Sequence, residues 1–137
     1  MAMTLKLEIA TPEGTVYSED AELVTLPAVE GQMGVYPQHI RVMTKLVPGE
    51  VSVRRNGQDE FLAVGEGLVE ITGDRISVLT DMAVPADRID EAKAEQERLR
   101  ADAQLRSKLS AQDLATVNAS LTRVLTQLSV KRRHRKV

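Results

Sequence analysis

The 137-residue chain is 42% hydrophobic with a formal net charge of −2, which supplies one modest core and excludes a disordered chain. Its three aromatic residues, Tyr17, Tyr36 and Phe61, cannot build the stacking platforms of single-strand nucleic-acid binders, and the absence of cysteine removes disulfides, thiol nucleophiles and cysteine-held zinc. No apolar run approaches the roughly 20 residues of a membrane span and the start lacks a basic-then-apolar leader, so a soluble, unprocessed chain is expected.

From residue 1 to 85, apolar side chains recur at period two, as in Leu5, Leu7 and Ile9, Val51 and Val53, or Ile76 and Val78. Pro12-Glu13-Gly14, Pro48-Gly49, Asn56-Gly57 and Gly73-Asp74 punctuate these runs with turn chemistry, and Asn56-Gly57 is the strongest two-residue hairpin signal. Turns this frequent, with no helical pattern between them, predict a flattened β-sandwich of about eight to ten strands.

After Pro85 glycine disappears, and Ala, Glu, Gln, Arg and Leu, which lose least on entering a helix, take over. Asp87 or a neighbour caps a first helix over about Ile89 to Ser107, and Ser110 caps a second that starts near Ala111. The second carries a narrow apolar seam, Leu114, Val117, Leu121, Val124 and Leu128, widened by Leu125. The first offers mainly alanines, so the expected fold is α+β: a sandwich over 1–85, then an antiparallel helical hairpin over 86–137 that is held only shallowly. The charge divides at the same boundary. Residues 1–85 hold six Lys/Arg against thirteen Asp/Glu, and residues 86–137 hold twelve against seven. An acidic sandwich and a basic hairpin attract each other when folded together, and salt should weaken that attraction.

The most distinctive passage runs Leu26-Pro27-Ala28-Val29-Glu30-Gly31-Gln32-Met33-Gly34-Val35-Tyr36-Pro37-Gln38-His39. On its residues alone it is a loop between strands. With Leu26-Pro27, Gly31-Gln32-Met33-Gly34-Val35 and His39, it closely resembles the epsilon subunit of rotary F-type ATP synthases. The resemblance continues through Pro48-Gly49, Val64-Gly65-Glu66-Gly67-Leu68-Val69-Glu70-Ile71 and Val78-Leu79-Thr80-Asp81-Met82-Ala83, and covers essentially the whole chain. Arg41 departs from a proline common in that family, and Glu66-Gly67-Leu68 from a Gly-Gly-Phe.

The resemblance implies a non-catalytic central-stalk subunit of a proton-translocating ATP synthase. Such a subunit couples c-ring rotation through gamma to ATP synthesis and inhibits ATP hydrolysis through its C-terminal helices. It implies partners gamma and the c-ring, and the alpha and beta subunits in an extended state. It also implies a peripheral place on the cytoplasmic face of a bacterial inner membrane, or an equivalent organellar membrane, through the complex only. The segment with Glu30, Gly31, Gln32, Met33, Gly34 and His39 is the expected rotor interface; Arg123, Lys131, Arg132, Arg133 and Arg135 are the expected inhibitory contacts.

Ile89-Asp90-Glu91-Ala92-Lys93-Ala94 resembles the family's short ATP-sensing motif, which would place a regulatory ATP at Ile89, Asp90, Lys93 and Ala94. Lys93 stands where the motif has arginine, and an ammonium cannot reproduce a two-pronged guanidinium contact, so the reading favours no cofactor. No phosphate-cradling Gly-x-x-x-x-Gly-Lys-Ser/Thr loop, catalytic cluster or metal-ligand spacing is present, and His39 is read as structural. Two other readings are open on the residues: a mainly ATP-sensing inhibitory module, and a sandwich adaptor whose basic tail, Lys131 to Lys136, binds nucleic acid. The acidic first 85 residues oppose the second of these.

Overall fold

A computed structural model describes residues 3–134. Ten strands come first: β1 (Leu5–Thr11), β2 (Gly14–Ala21), β3 (Leu23–Ala28), β4 (Gly31–Val35), β5 (His39–Leu46), β6 (Gly49–Arg55), β7 (Gln58–Val64), β8 (Gly67–Gly73), β9 (Arg75–Thr80) and β10 (Ala83–Pro85). A single 3-10 turn (Ala86–Arg88) leads into α1 (Glu91–Leu105) and α2 (Ala111–Arg133).

The strands form one hydrogen-bonded ladder, β10-β7-β6-β3-β5-β8-β9-β1-β2, with β4 beside β3. Among the described residues only β1 with β9 is parallel. Strands β3 and β5 share a single register pair, Ala28 with Leu46, so the ladder is thinnest there and its two halves fold face to face. The period-two residues of both halves meet in one core of Val, Leu, Ile and Ala, among them Leu5, Leu7, Ile9, Val51, Val53, Ile76 and Val78. At the far side Arg55 on β6 closes the sandwich, bonding Glu19 (3.2 Å) and the Asp20 carbonyl (3.2 Å) on β2 and Glu60 (2.9 Å) on β7.

Two turns show why particular residues are required. Asn56 and Gly57 both have positive φ, 52° and 75°, the mirror-image turn that matches strand twist. At Gly67 the constraint is space: a Cβ there would lie 1.9 Å from the backbone oxygen of Leu79, on the paired strand β9.

Three expectations need correction. The passage from Glu30 to His39 is not one loop, because Gly31–Val35 form β4, pairing Val24 with Val35 through Ala28 with Gly31. Its two glycines break the apolar alternation that marks a strand. The first helix is shorter than Ile89 to Ser107: Asp90 caps it, its side chain accepting the Lys93 N–H (3.1 Å), and it ends at Leu105. In α2 the seam is narrower than expected, with Val117, Val124 and Leu128 buried and Leu114 and Leu125 exposed. Val130 is buried too, although it lies outside that seam. The capping Ser110 and the start at Ala111 stand as read, and α1 buries only Ala94 and Ala101.

Candidate functional site

Two surfaces stand out, one on each side of the sandwich. On the outer face of β5, β8 and β9 the apolar residues that point away from the core include Met43, Leu68 and Leu79, 69%, 50% and 58% exposed. The register sets Leu68 beside Leu79, and Met43 beside Glu70, two residues along β8 from Leu68. Lys45, opposite Leu68, and Glu70, opposite Met43, share this face, so the three apolar side chains form a small exposed group among charged neighbours, and Ile40, 76% exposed, lies at the β5 bulge. Exposed apolar side chains grouped on one sheet face make it a candidate interaction face.

The expected rotor-interface residues do not gather at one point. Glu30 and Gly31 sit at the turn joining β3 to β4, where the Val29 N–H bonds the Lys45 carbonyl (3.0 Å). His39 opens β5, past the opposite end of β4, after about 17 Å of extended chain. There it pairs with Gly73, and the neighbouring Gln38 N–H bonds Asp74 (3.3 Å). Between them Gln32 and Gly34 are exposed and Met33 leans on the core. His39 Nδ1 lies 2.7 Å from the Ile40 carbonyl oxygen, a local contact.

On the other side α2 docks on the sandwich through one stripe, Arg123, Gln127, Val130 and His134 at steps of three to four residues, with Lys131 four after Gln127. Each member has a partner. Arg123 pairs with Asp81 (3.7 Å), and the Gln127 amide meets the Met82 sulfur (3.1 Å). Val130 packs with Ala63, Met82 and Ile89, and Lys131 donates to the Ala86 carbonyl (3.2 Å). His134 stacks on Phe61, rings 3.5 Å apart and 7° from parallel, and its Nε2 meets Glu50, which also accepts from Arg133 (3.0 Å). Sequence reasoning that looks for apolar periodicity misses this stripe, because four of its five members are polar. The sole sequence signal was their helical spacing opposite an acidic module.

The expected inhibitory cations are thus engaged within the chain. Arg123 and Arg133 reach the sandwich, and Arg132 ties the helices together through Glu91 (2.9 Å) and Glu95 (3.0 Å). The Arg98 side chain, then Arg132, hold the Glu95 carboxyl below its ordinary range. Arg135 lies outside the described residues.

The four residues of the ATP-like motif are spread over separate tasks. Ile89 packs under α2 with Val130, Ala94 packs against Val124 and Leu128, Asp90 caps α1, and Lys93 is exposed. Among the described residues no group of three or more His, Asp or Glu is placed to hold a metal ion, and no helix is long and apolar enough to cross a membrane. Beside the docked stripe, burial and the Glu60 charge push the Tyr17 hydroxyl up to about 12, against the opposing pull of Arg55.

Residues 4–86 match the family described as ATP synthase, Delta/Epsilon chain, beta-sandwich domain. The ATP synthase epsilon chain of Herpetosiphon aurantiacus is 39% identical over 133 residues, spanning 97% of this chain and 98% of the relative. That of Chloroflexus aggregans is 37% identical over 133 residues, spanning 97% and 96%. A chain in the Euglena gracilis mitochondrial ATP synthase, OSCP/F1/c-ring, superposes with a TM-score of 0.76 at 20% identity, covering 92% of this chain and 80% of that one. One in the Tetrahymena thermophila mitochondrial ATP synthase central stalk/c-ring gives 0.59 at 11% identity, covering 94% and 97%. The two structures share the fold.

Proposed function

Because the chain belongs to the ATP synthase epsilon-chain family, and so is a non-catalytic subunit of the central stalk, we propose that it couples rotation of the c-ring through gamma to ATP synthesis and restrains ATP hydrolysis with its helices. The observation that carries the coupling role is the exposed apolar group of Met43, Leu68 and Leu79 on a ten-stranded sandwich with one packed core. Transmitting torque requires a body that does not yield, and a core packed at crystal density transmits strain. The patch, with Ile40 and the exposed Tyr36 near His39, is the face that takes gamma. The acidic turn at Glu30 and Gly31, with Gln32, Met33 and Gly34 behind it, is the end that meets the c-ring.

In the proposed switch, the docked hairpin is the released brake, since Arg123 and Arg133 are occupied by Asp81 and Glu50. When the helices extend, Arg123, Lys131, Arg132, Arg133 and Arg135 exchange these partners for acidic segments of the alpha and beta subunits. The preference is a difference between two sets of charge-assisted contacts, so small changes shift it. Membrane association follows from the complex alone.

The test is recovery of gamma with the tagged chain. Met43→Glu combined with Leu68→Glu places two carboxylates on the patch and is expected to abolish recovery while the chain stays folded. Undiminished recovery would remove the patch from the interface, and recovery with RNA but without alpha, beta and gamma would overturn the whole reading.

A further inference from the structure

The distal end of the docked stripe has a chemistry that the rest lacks. His134 is the last described residue, the C-cap of α2, with its ring flat on Phe61 of β7 and Nε2 against the Glu50 carboxylate of β6. Glu50 is well shielded, its side chain only 14% exposed. An imidazole ordinarily titrates near about pH 6.5, within the range a cell visits. Neutral, it offers Glu50 a single N–H; protonated, it offers an ion pair and stacks on the Phe61 ring as a cation.

Other charged groups lie around the ring on every element packed against it. From the sandwich, Glu50 touches it, and Glu19 on β2 and Asp59 and Glu60 on β7 line the groove of about 970 Å³ that His134 borders. The 3-10 turn adds Asp87 and Arg88, and α2 itself adds Lys131 and Arg133. Of these carboxylates Glu19 and Glu60 are paired with Arg55 and Asp59 with Arg54, so Glu50 is the one that acts on the ring, and Tyr17, pushed up to about 12, stays neutral throughout this range.

We propose that Glu50, Phe61 and His134 form a proton-operated latch that holds the helical hairpin on the sandwich in acid and loosens it as pH rises. The sign follows from the contact. The imidazolium–carboxylate pair exists only when the hairpin is docked and only when the ring is protonated, so protonation adds to docking and deprotonation subtracts from it. The device concerns docking within this chain and is independent of what the extended helices do, so its failure leaves the central-stalk reading untouched.

The chain lacks cysteine, and Ala63, on the outer face of β7 under Val130, is fully buried by the hairpin. Ala63→Cys therefore supplies a sole thiol that reagents reach when the hairpin lifts. Its trapping rate in the full chain, divided at each pH by the rate in denaturant, reports undocking. Between about pH 5.5 and 7.5 the normalised rate is expected to rise about two- to five-fold, the scale of one partly exposed ion pair. His134→Gln and, separately, Glu50→Gln should each flatten the profile, whereas His39→Gln, which replaces the only other histidine, should leave it unchanged. A flat profile in the Ala63→Cys chain, or a rise that survives both latch substitutions, overturns the proposal.

Discussion

Replacing Val130 with alanine tests whether packing or charge holds the hairpin down. Val130 is 1% exposed and is the one apolar member of the docking stripe, seated among Ala63, Met82 and Ile89. The substitution removes two methyl groups, about 1.6 kcal/mol of burial at about 0.8 kcal/mol each, and a partly collapsed cavity brings the cost to about 2 kcal/mol. The shallow seam of Ala94, Val124 and Leu128 cannot compensate, because it faces the other helix. Undocking should therefore rise about 30-fold at constant pH, since about 1.4 kcal/mol is a factor of ten. Trapping of the Ala63→Cys thiol reads this directly, and the urea midpoint of the sandwich strands should hardly move. A change below about three-fold would show that Val130 contributes little to docking. A fall in sandwich stability equal to the rise in trapping would show that hairpin and sandwich are one cooperative unit, against the switch proposed above.

Salt provides the complementary test. Arg123 with Asp81 and Arg133 with Glu50 are partly exposed pairs, so raising salt to about 0.5 M should increase undocking less than about three-fold, well short of the Val130→Ala effect. Gly67→Ala forces a Cβ onto the Leu79 carbonyl and should destabilise the sandwich by more than about 3 kcal/mol in thermal unfolding, whereas a loss below about 1 kcal/mol would show that β8 and β9 can separate there. One of the two tyrosines, Tyr17, should ionise at about 12 in ultraviolet titration; because the folded chain keeps that proton after an unfolded chain has lost it, stability should fall as pH climbs above about 10. Isothermal titration with millimolar ATP should give no heat, since Asp90 is committed to capping α1 and Lys93 lacks the guanidinium fork; measurable saturating heat would restore the nucleotide-sensing reading.

What the sequence made legible follows the chemistry that each signal reports. Alternation in Leu5, Leu7 and Ile9 reports a face turned to a core, and those residues are in it. Asn56-Gly57 and Ser110 report backbone angles and an orphan N–H, and both work as read. Strand β4 escaped because Gly31 and Gly34 carry no side chain to alternate, although register with β3 still holds them extended. The docking stripe escaped for the opposite reason: its positions are periodic but polar, and only the sandwich supplies Asp81, Glu50 and the Ala86 carbonyl that make Arg123, Arg133 and Lys131 interface residues. The charge asymmetry was its visible trace. It located attraction between the modules without assigning the pairs, and Arg132 in fact turns to Glu91 and Glu95 on the neighbouring helix.

The central claim is that this chain turns with the rotor. A chain without cysteine permits Met43→Cys to be cross-linked to gamma in the assembled ATP synthase while ATP turnover is followed. If the patch rides on gamma, the two parts move together, and turnover should persist at full cross-linking yield. Turnover that falls in proportion to the yield would mean that the bond joins moving to stationary parts, and would contradict the account.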